Sequence, residues 1–218
     1  MRFLPILIFI LVFVSCGDKK PDSHSGATKT SLLHYPQETH FDTIIQLTNG
    51  GDNAEAYWSF DNSKIVFQAT NSAWGDSCDQ IYYTTLADAE RMMSERPSLI
   101  STGKGRTTCS YFMPGDTTII YASTHLASED CPPKPDKRED GKYVWPVYAG
   151  FDIFVADLKG NILSQLTNEA GYDAEPTVSP NGDLIVFTSL RSGDLELYTM
   201  NLDGSNVKQI TSKLGYDG

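Results

Sequence analysis

One stretch of this chain occurs three times, and that recurrence constrains the fold more than any single motif. Its clearest copy runs Ala174-Glu175-Pro176-Thr177-Val178-Ser179-Pro180-Asn181-Gly182-Asp183-Leu184-Ile185-Val186-Phe187. A second copy lies 120 residues earlier, at Ala54-Glu55-Ala56-Tyr57-Trp58-Ser59-Phe60-Asp61-Asn62-Ser63-Lys64-Ile65-Val66-Phe67. A third lies 66 residues earlier, at Cys109-Ser110-Tyr111-Phe112-Met113-Pro114-Gly115-Asp116-Thr117-Thr118-Ile119-Ile120-Tyr121. Each copy reads as an extended run, a turn of Pro, Asn, Gly or Asp, and an apolar β-branched triplet. Asn-Gly and Gly-Asp favour the positive φ of tight hairpins, and an uninterrupted apolar run suits a strand buried on both faces. A repeat of this size, used three times, means a stack of like units with a continuous core.

More strands follow in each unit: Gln80-Ile81-Tyr82-Tyr83, Asp152-Ile153-Phe154-Val155 and Glu196-Leu197-Tyr198-Thr199. Beyond the last of these, the turn Asn201-Leu202-Asp203-Gly204 leads to Val207-Lys208-Gln209-Ile210-Thr211, and Ile162-Leu163-Ser164-Gln165-Leu166-Thr167 is the same element one unit earlier. Four short antiparallel strands per repeat describe the blade of a β-propeller, so the fold class is all-β. Ile44-Ile45-Gln46-Leu47-Thr48 resembles a fourth strand placed before any first strand, which in a closed ring would complete the last blade. The expected blades are 44–97, 98–161 and 162–206, and Gly215-Tyr216-Asp217, repeating Gly171-Tyr172-Asp173, puts the start of another blade within 207–218. Three blades and the start of a fourth make an incomplete ring.

The chain begins with Arg2, an apolar run over residues 3–14, and then Ser15, Cys16 and Gly17-Asp18-Lys19-Lys20. That run is shorter than the roughly 20 residues a spanning helix needs, and its layout is that of an export signal. Phe13-Val14-Ser15-Cys16 resembles a bacterial lipobox, with Phe13 where Leu is usual, so residues 1–15 are expected to be removed and Cys16 to be lipidated. Residues 16–43 are polar and unpatterned, as in a flexible tether. His24, His34 and His40 fall in the tether at spacings that match no metal-ligand template. The net charge of −11, from 17 Lys+Arg against 28 Asp+Glu, excludes a partner held by phosphate neutralisation, so no nucleic acid is expected. In an exported protein Cys78, Cys109 and Cys131 allow one disulfide, with three pairings open and one thiol left over.

The combination Gln-Leu-Thr or Gln-Ile-Thr, Gly-Tyr-Asp-Ala-Glu-Pro, Ser-Pro-Asn-Gly, Ile-Val-Phe and Glu-Leu-Tyr-Thr-Met-Asn-Leu-Asp-Gly resembles the WD-repeat-like blades of the TolB family over residues 44–218. Similar blades occur in the propellers of prolyl oligopeptidases. The resemblance implies a β-propeller in the bacterial cell envelope and a protein partner; with the lipobox-like start, the chain is expected to be anchored by lipid with its folded part in the periplasm or at the cell surface.

Two groups of residues are candidates for binding. Glu55, Asp173 and Glu175 stand at the start of innermost strands, near the mouth of a central channel, and Asp217 repeats the position of Asp173. Convergent carboxylates there suit a cation or a basic segment of a partner. The second group is in the insertion over residues 124–150, where Tyr143, Trp145 and Tyr148 accompany a mixed-charge run and suit protein or glycan contact. No Gly-x-Ser-x-Gly, no His-Glu-x-x-His and no phosphate-binding glycine loop is present, so neither catalytic residues nor a metal or other cofactor is expected. The leading expectation is a non-catalytic protein-binding platform. The alternatives are the gating propeller of a prolyl-oligopeptidase-like hydrolase and a glycan-binding lipoprotein.

Overall fold

A computed structural model describes residues 35, 37–41, 44–136, 138–142, 144 and 146–218. The signal segment, Cys16 and most of the tether lie outside the described residues, as do Tyr143 and Trp145 of the insertion. Twelve strands form three four-stranded antiparallel sheets. The first sheet holds β1 (Asp52–Trp58), β2 (Lys64–Thr70), β3 (Gln80–Thr85) and β4 (Ser98–Leu99). The second holds β5 (Thr107–Phe112), β6 (Thr118–Ser123), β7 (Asp152–Asp157) and β8 (Ile162–Gln165). The third holds β9 (Asp173–Val178), β10 (Leu184–Ser189), β11 (Glu196–Asn201) and β12 (Lys208–Gln209). Two 3-10 helical turns, Ser72–Trp74 and Leu86–Met93, flank β3. No helix among the described residues is long and apolar enough to cross a membrane.

The turn chemistry of the repeats is realised at one position. Asn62, Asp116 and Gly182 occupy the same place in the three hairpins and all take positive φ, at 57°, 55° and 69°. Asp116 does more than turn the chain. Its carboxylate accepts the amides of Phe60 and Asp61, at 2.8 and 2.9 Å, and so ties the first hairpin to the second.

The apolar triplets become second strands flanked on both sides, and their alternation divides them between two interfaces. Ile119 and Tyr121 join Val66, Ile81, Ile100, Phe112 and Phe154 between the first and second sheets. Ile120, one residue off, joins Ile153, Ile185, Phe187 and Met200 between the second and third. Period-two side-chain geometry thus buries the middle blade on both faces. Each fully buried Ile or Phe adds roughly 1.5–3 kcal/mol. β5 and β9 each pack against the sheet before them and are largely covered, whereas β1 is exposed at all seven positions. The sheets follow one another as an arc, and no strand pairing joins the third to the first.

The fourth strands correct the expected blade limits. Ser98–Leu99, Ile162–Gln165 and Lys208–Gln209 pair with β3, β7 and β11, so each closes the sheet before it. The blades are therefore 52–99, 107–165 and 173–209, displaced from limits drawn at 97, 161 and 206. The Gln-Leu-Thr pattern explains how so short a strand holds its place. The hydroxyls of Ser101, Thr167 and Thr211 accept the amides of Ile81, Ile153 and Leu197, each at 2.9 Å, and so prolong the ladder by one bond. Residues 44–48 carry the same pattern but join no sheet. All three fourth-strand positions are already filled from within their own blades, and Leu47 packs instead on Ile65, Phe67, Ala69 and Tyr82.

Candidate functional site at the innermost strands

All three innermost strands are broken by a β-bulge at the equivalent residue. Pairing slips between Ala54 and Tyr57 in β1, between Thr108 and Ser110 in β5, and opposite Val186 and Thr188 in β9. The residues at the slip are Glu55, Cys109 and Glu175, with φ of 51°, 40° and 58°. A left-handed backbone at a residue other than Gly costs about 1–3 kcal/mol and persists where the surroundings enforce it. Here the same strain is set three times, and its effect is to bring one side chain from each blade to a shared cavity of about 680 Å³. Its walls include Tyr57, Tyr148, Phe151, Tyr172 and Phe187.

The two carboxylates are held by hydroxyls. Tyr57 donates to Glu55 at 2.8 Å. Glu175 accepts from Thr188 at 2.7 Å and from Tyr216 at 2.9 and 3.1 Å. Their negative field registers on the neighbours. The bond to Glu55, followed by burial, pushes the Tyr57 phenol up to about 12. Burial first, then Glu175 and Cys109, raises Tyr172. Cys109 is pushed up to about 12, chiefly by burial and further by Glu55 and Glu175, although its contact with Thr108 acts the other way. A thiol held protonated is a poor nucleophile. Beside it Ser110 is 1% exposed, and its hydroxyl has no hydrogen-bond partner among the described residues.

No protein-family profile matches the chain. It is 40% identical over 80 residues to the Tol-Pal system protein TolB of Hydrogenovibrio crunogenus, an overlap of 36% of this chain and 18% of that protein. The structure of TolB from Acinetobacter baumannii superposes with a TM-score of 0.52 at 20% identity, covering 76% of this chain and 34% of that one. A structure provisionally assigned as TolB, from Agrobacterium tumefaciens, gives 0.54 at 20% identity, covering 81% of this chain and 53% of that one. Its fold is the β-propeller of these TolB structures. The chain spans from 11% to 21% of the length of the curated relatives it matches.

In this TolB-like propeller the predicted carboxylates separate. Glu55 and Glu175 face the cavity, but Asp173 does not. It is 2% exposed and paired with Arg191 at 2.9 Å, inside the third blade. Arg191 also donates to Ser189 and lies over the rings of Phe187 and Tyr198, at 5.2 and 5.1 Å. Asp173 therefore belongs to the blade's interior. The backbone of Asp217 bonds to Leu195, and its neighbours Tyr216 and Gly218 line the cavity in its place.

The insertion reaches the site through Pro146 and Tyr148. Tyr148 donates to the Pro133 carbonyl at 3.0 Å and lies under Arg106, which is itself ion-paired with Asp79. A disulfide between Cys78 and Cys131 fastens the insertion to the first blade, and Cys109 is the free thiol among the described residues. His125 packs its ring on Phe154 and bonds to Ser123, and burial lowers its pKa. Among the described residues no three His, Cys, Asp or Glu side chains are grouped to hold a metal ion.

Sequence reasoning missed Tyr57, Ser110, Tyr172 and Tyr216. The place of Cys109 was readable, because a shift of 66 residues sets it on Glu175. What was missing was the bulge, which turns that position toward the cavity.

Proposed function

We propose that this chain is a lipid-anchored protein of the bacterial envelope whose TolB-like propeller binds a protein partner and performs no catalysis. The observation that carries the reading is the thrice-repeated bulge, which sets Glu55, Cys109 and Glu175 on one aromatic-walled cavity. Rigid, strained positions that converge on an open concavity serve recognition. With its thiol held protonated, Cys109 contributes to the shape of the site rather than to nucleophilic chemistry. The likeness to a Tol-Pal system protein supports an envelope setting, and Cys16 is the proposed attachment point of the lipid.

The experiment is affinity capture of the full chain from bacterial membranes after cross-linking, run beside a Glu55→Gln, Glu175→Gln double variant. The reading expects one partner, captured by the wild type and lost with the double variant. Turnover of a peptide or glycan by the purified chain overturns it, as does capture that the double variant leaves unchanged.

A further inference from the structure

Among the described residues, nothing balances the charge of the cavity. Arg106 is, among the described residues, the cationic side chain on its wall, and that charge is already taken by Asp79. Arg191, close by in the third blade, is taken by Asp173. Among the described residues Glu55 and Glu175 receive hydroxyl donors, from Tyr57, Thr188, Tyr172 and Tyr216, which fix the carboxylates without neutralising them. Two negative charges therefore remain in a recess walled by Phe151, Phe187, Tyr148 and Tyr172.

A second observation is independent of the acids. Ser110, on the wall of the same cavity and 1% exposed, has a hydroxyl with no partner among the described residues. A buried polar group is nearly always satisfied, and one left over beside a cavity calls for a group supplied from outside.

We propose that this cavity receives an organic cation: the ammonium or guanidinium end of a lysine or arginine side chain, inserted by the partner. The proposal rests on the protein-binding reading above and names the chemistry of what enters. Glu55 and Glu175 balance the charge, and the Ser110 oxygen accepts one N–H. The aromatic walls cover the aliphatic stem, and their ring faces attract the cation. A bare metal ion fits less well, because no three ligating side chains are grouped among the described residues and the walls are rich in carbon.

The test is calorimetric titration of the full chain, without any partner, using Nα-acetyl-lysine amide, Nα-acetyl-arginine amide, the uncharged norleucine analogue and calcium chloride. The proposal expects the two cationic amides to bind and the norleucine analogue to bind at least tenfold more weakly. Calcium should not displace them. Glu55→Gln and Glu175→Gln should each weaken binding by about tenfold, the loss of one charge-assisted contact. Ser110→Ala should weaken it less. Cys109→Lys, which brings its own ammonium to the same wall, should abolish it while circular dichroism stays that of the wild type. Equal binding of the norleucine analogue, displacement by calcium, or indifference to both glutamine variants overturns the proposal. If the amides fail to bind while the membrane partner is still captured, this inference falls and the platform reading stands. If they bind and no partner is captured, the platform reading falls instead.

Discussion

Cys109 and Asp173 show how far neighbours decide what a residue does. A free thiol titrates near pH 8.5, but burial and the carboxylates of Glu55 and Glu175 push Cys109 up to about 12. Iodoacetamide at about pH 8 should therefore leave Cys109 unmodified in the native protein and add one carbamidomethyl group after denaturation, as read by intact mass. The same shift links to stability. With the folded value above the unfolded one, the contribution is whole below about pH 8.5 and is lost as pH climbs toward 12. Cys109→Ser should accordingly lose less stability than the wild type between about pH 8 and about pH 10, measured by urea unfolding. Asp173 is a carboxylate two positions from Glu175 with the opposite fate, since it is locked to Arg191 within the blade. Asp173→Asn leaves that guanidinium without its charge partner and should destabilise the fold by about 3 kcal/mol in the same assay. Nothing in the string Asp173-Ala174-Glu175 distinguishes the two acids; the left-handed backbone at Glu175 does.

At the scale of hairpins and strands, the repeated turns and apolar triplets were fully legible. Asn-Gly, Gly-Asp and Ile-Val-Phe state their conformations locally, and the sheets β1-β2-β3, β5-β6-β7 and β9-β10-β11 follow from them. Two of the fourth strands, Ile162–Gln165 and Lys208–Gln209, were legible from their shared pattern, but Ser98–Leu99 was not, because it is two residues long and leans on the Ser101 hydroxyl, which no hydrophobic pattern reveals. The tie from Asp116 to Phe60 and Asp61 was equally hidden, since it joins turns from two blades. Asp116→Ala removes the acceptor of two backbone amides and keeps the positive φ, and should lower unfolding free energy by about 3 kcal/mol. Asp116→Gly relieves the backbone strain alone and should recover about 1 kcal/mol of that loss, read from denaturant midpoints.

For the whole molecule, protection is graded by how many faces of a blade are covered. The middle sheet is sandwiched between two hydrophobic interfaces, with Ile119 and Tyr121 turned one way and Ile120 the other. The first sheet, at one end of the arc, exposes the whole of β1, including Tyr57, Trp58 and the adjoining Phe60. Amide hydrogen exchange followed by mass spectrometry should find β6 and β7 slowest and β1 fastest, a spread that reflects local opening rather than global unfolding. Uniform protection across the three sheets would contradict that order. The three-blade count was visible in the sequence because each blade repeats its own signals. The pairing of Cys78 with Cys131 was not, since it depends on where an irregular insertion returns to the first blade.

The bulges of β1, β5 and β9 have a consequence for how such a site changes. Glutamate, cysteine and glutamate sit on the same backbone conformation in three consecutive blades, so the main chain is indifferent to which side chain stands there. Each blade offers one interchangeable socket. A binding preference spelled by three sockets can be rewritten one letter at a time, while the hairpins, interfaces and ladders that hold the propeller together are left untouched.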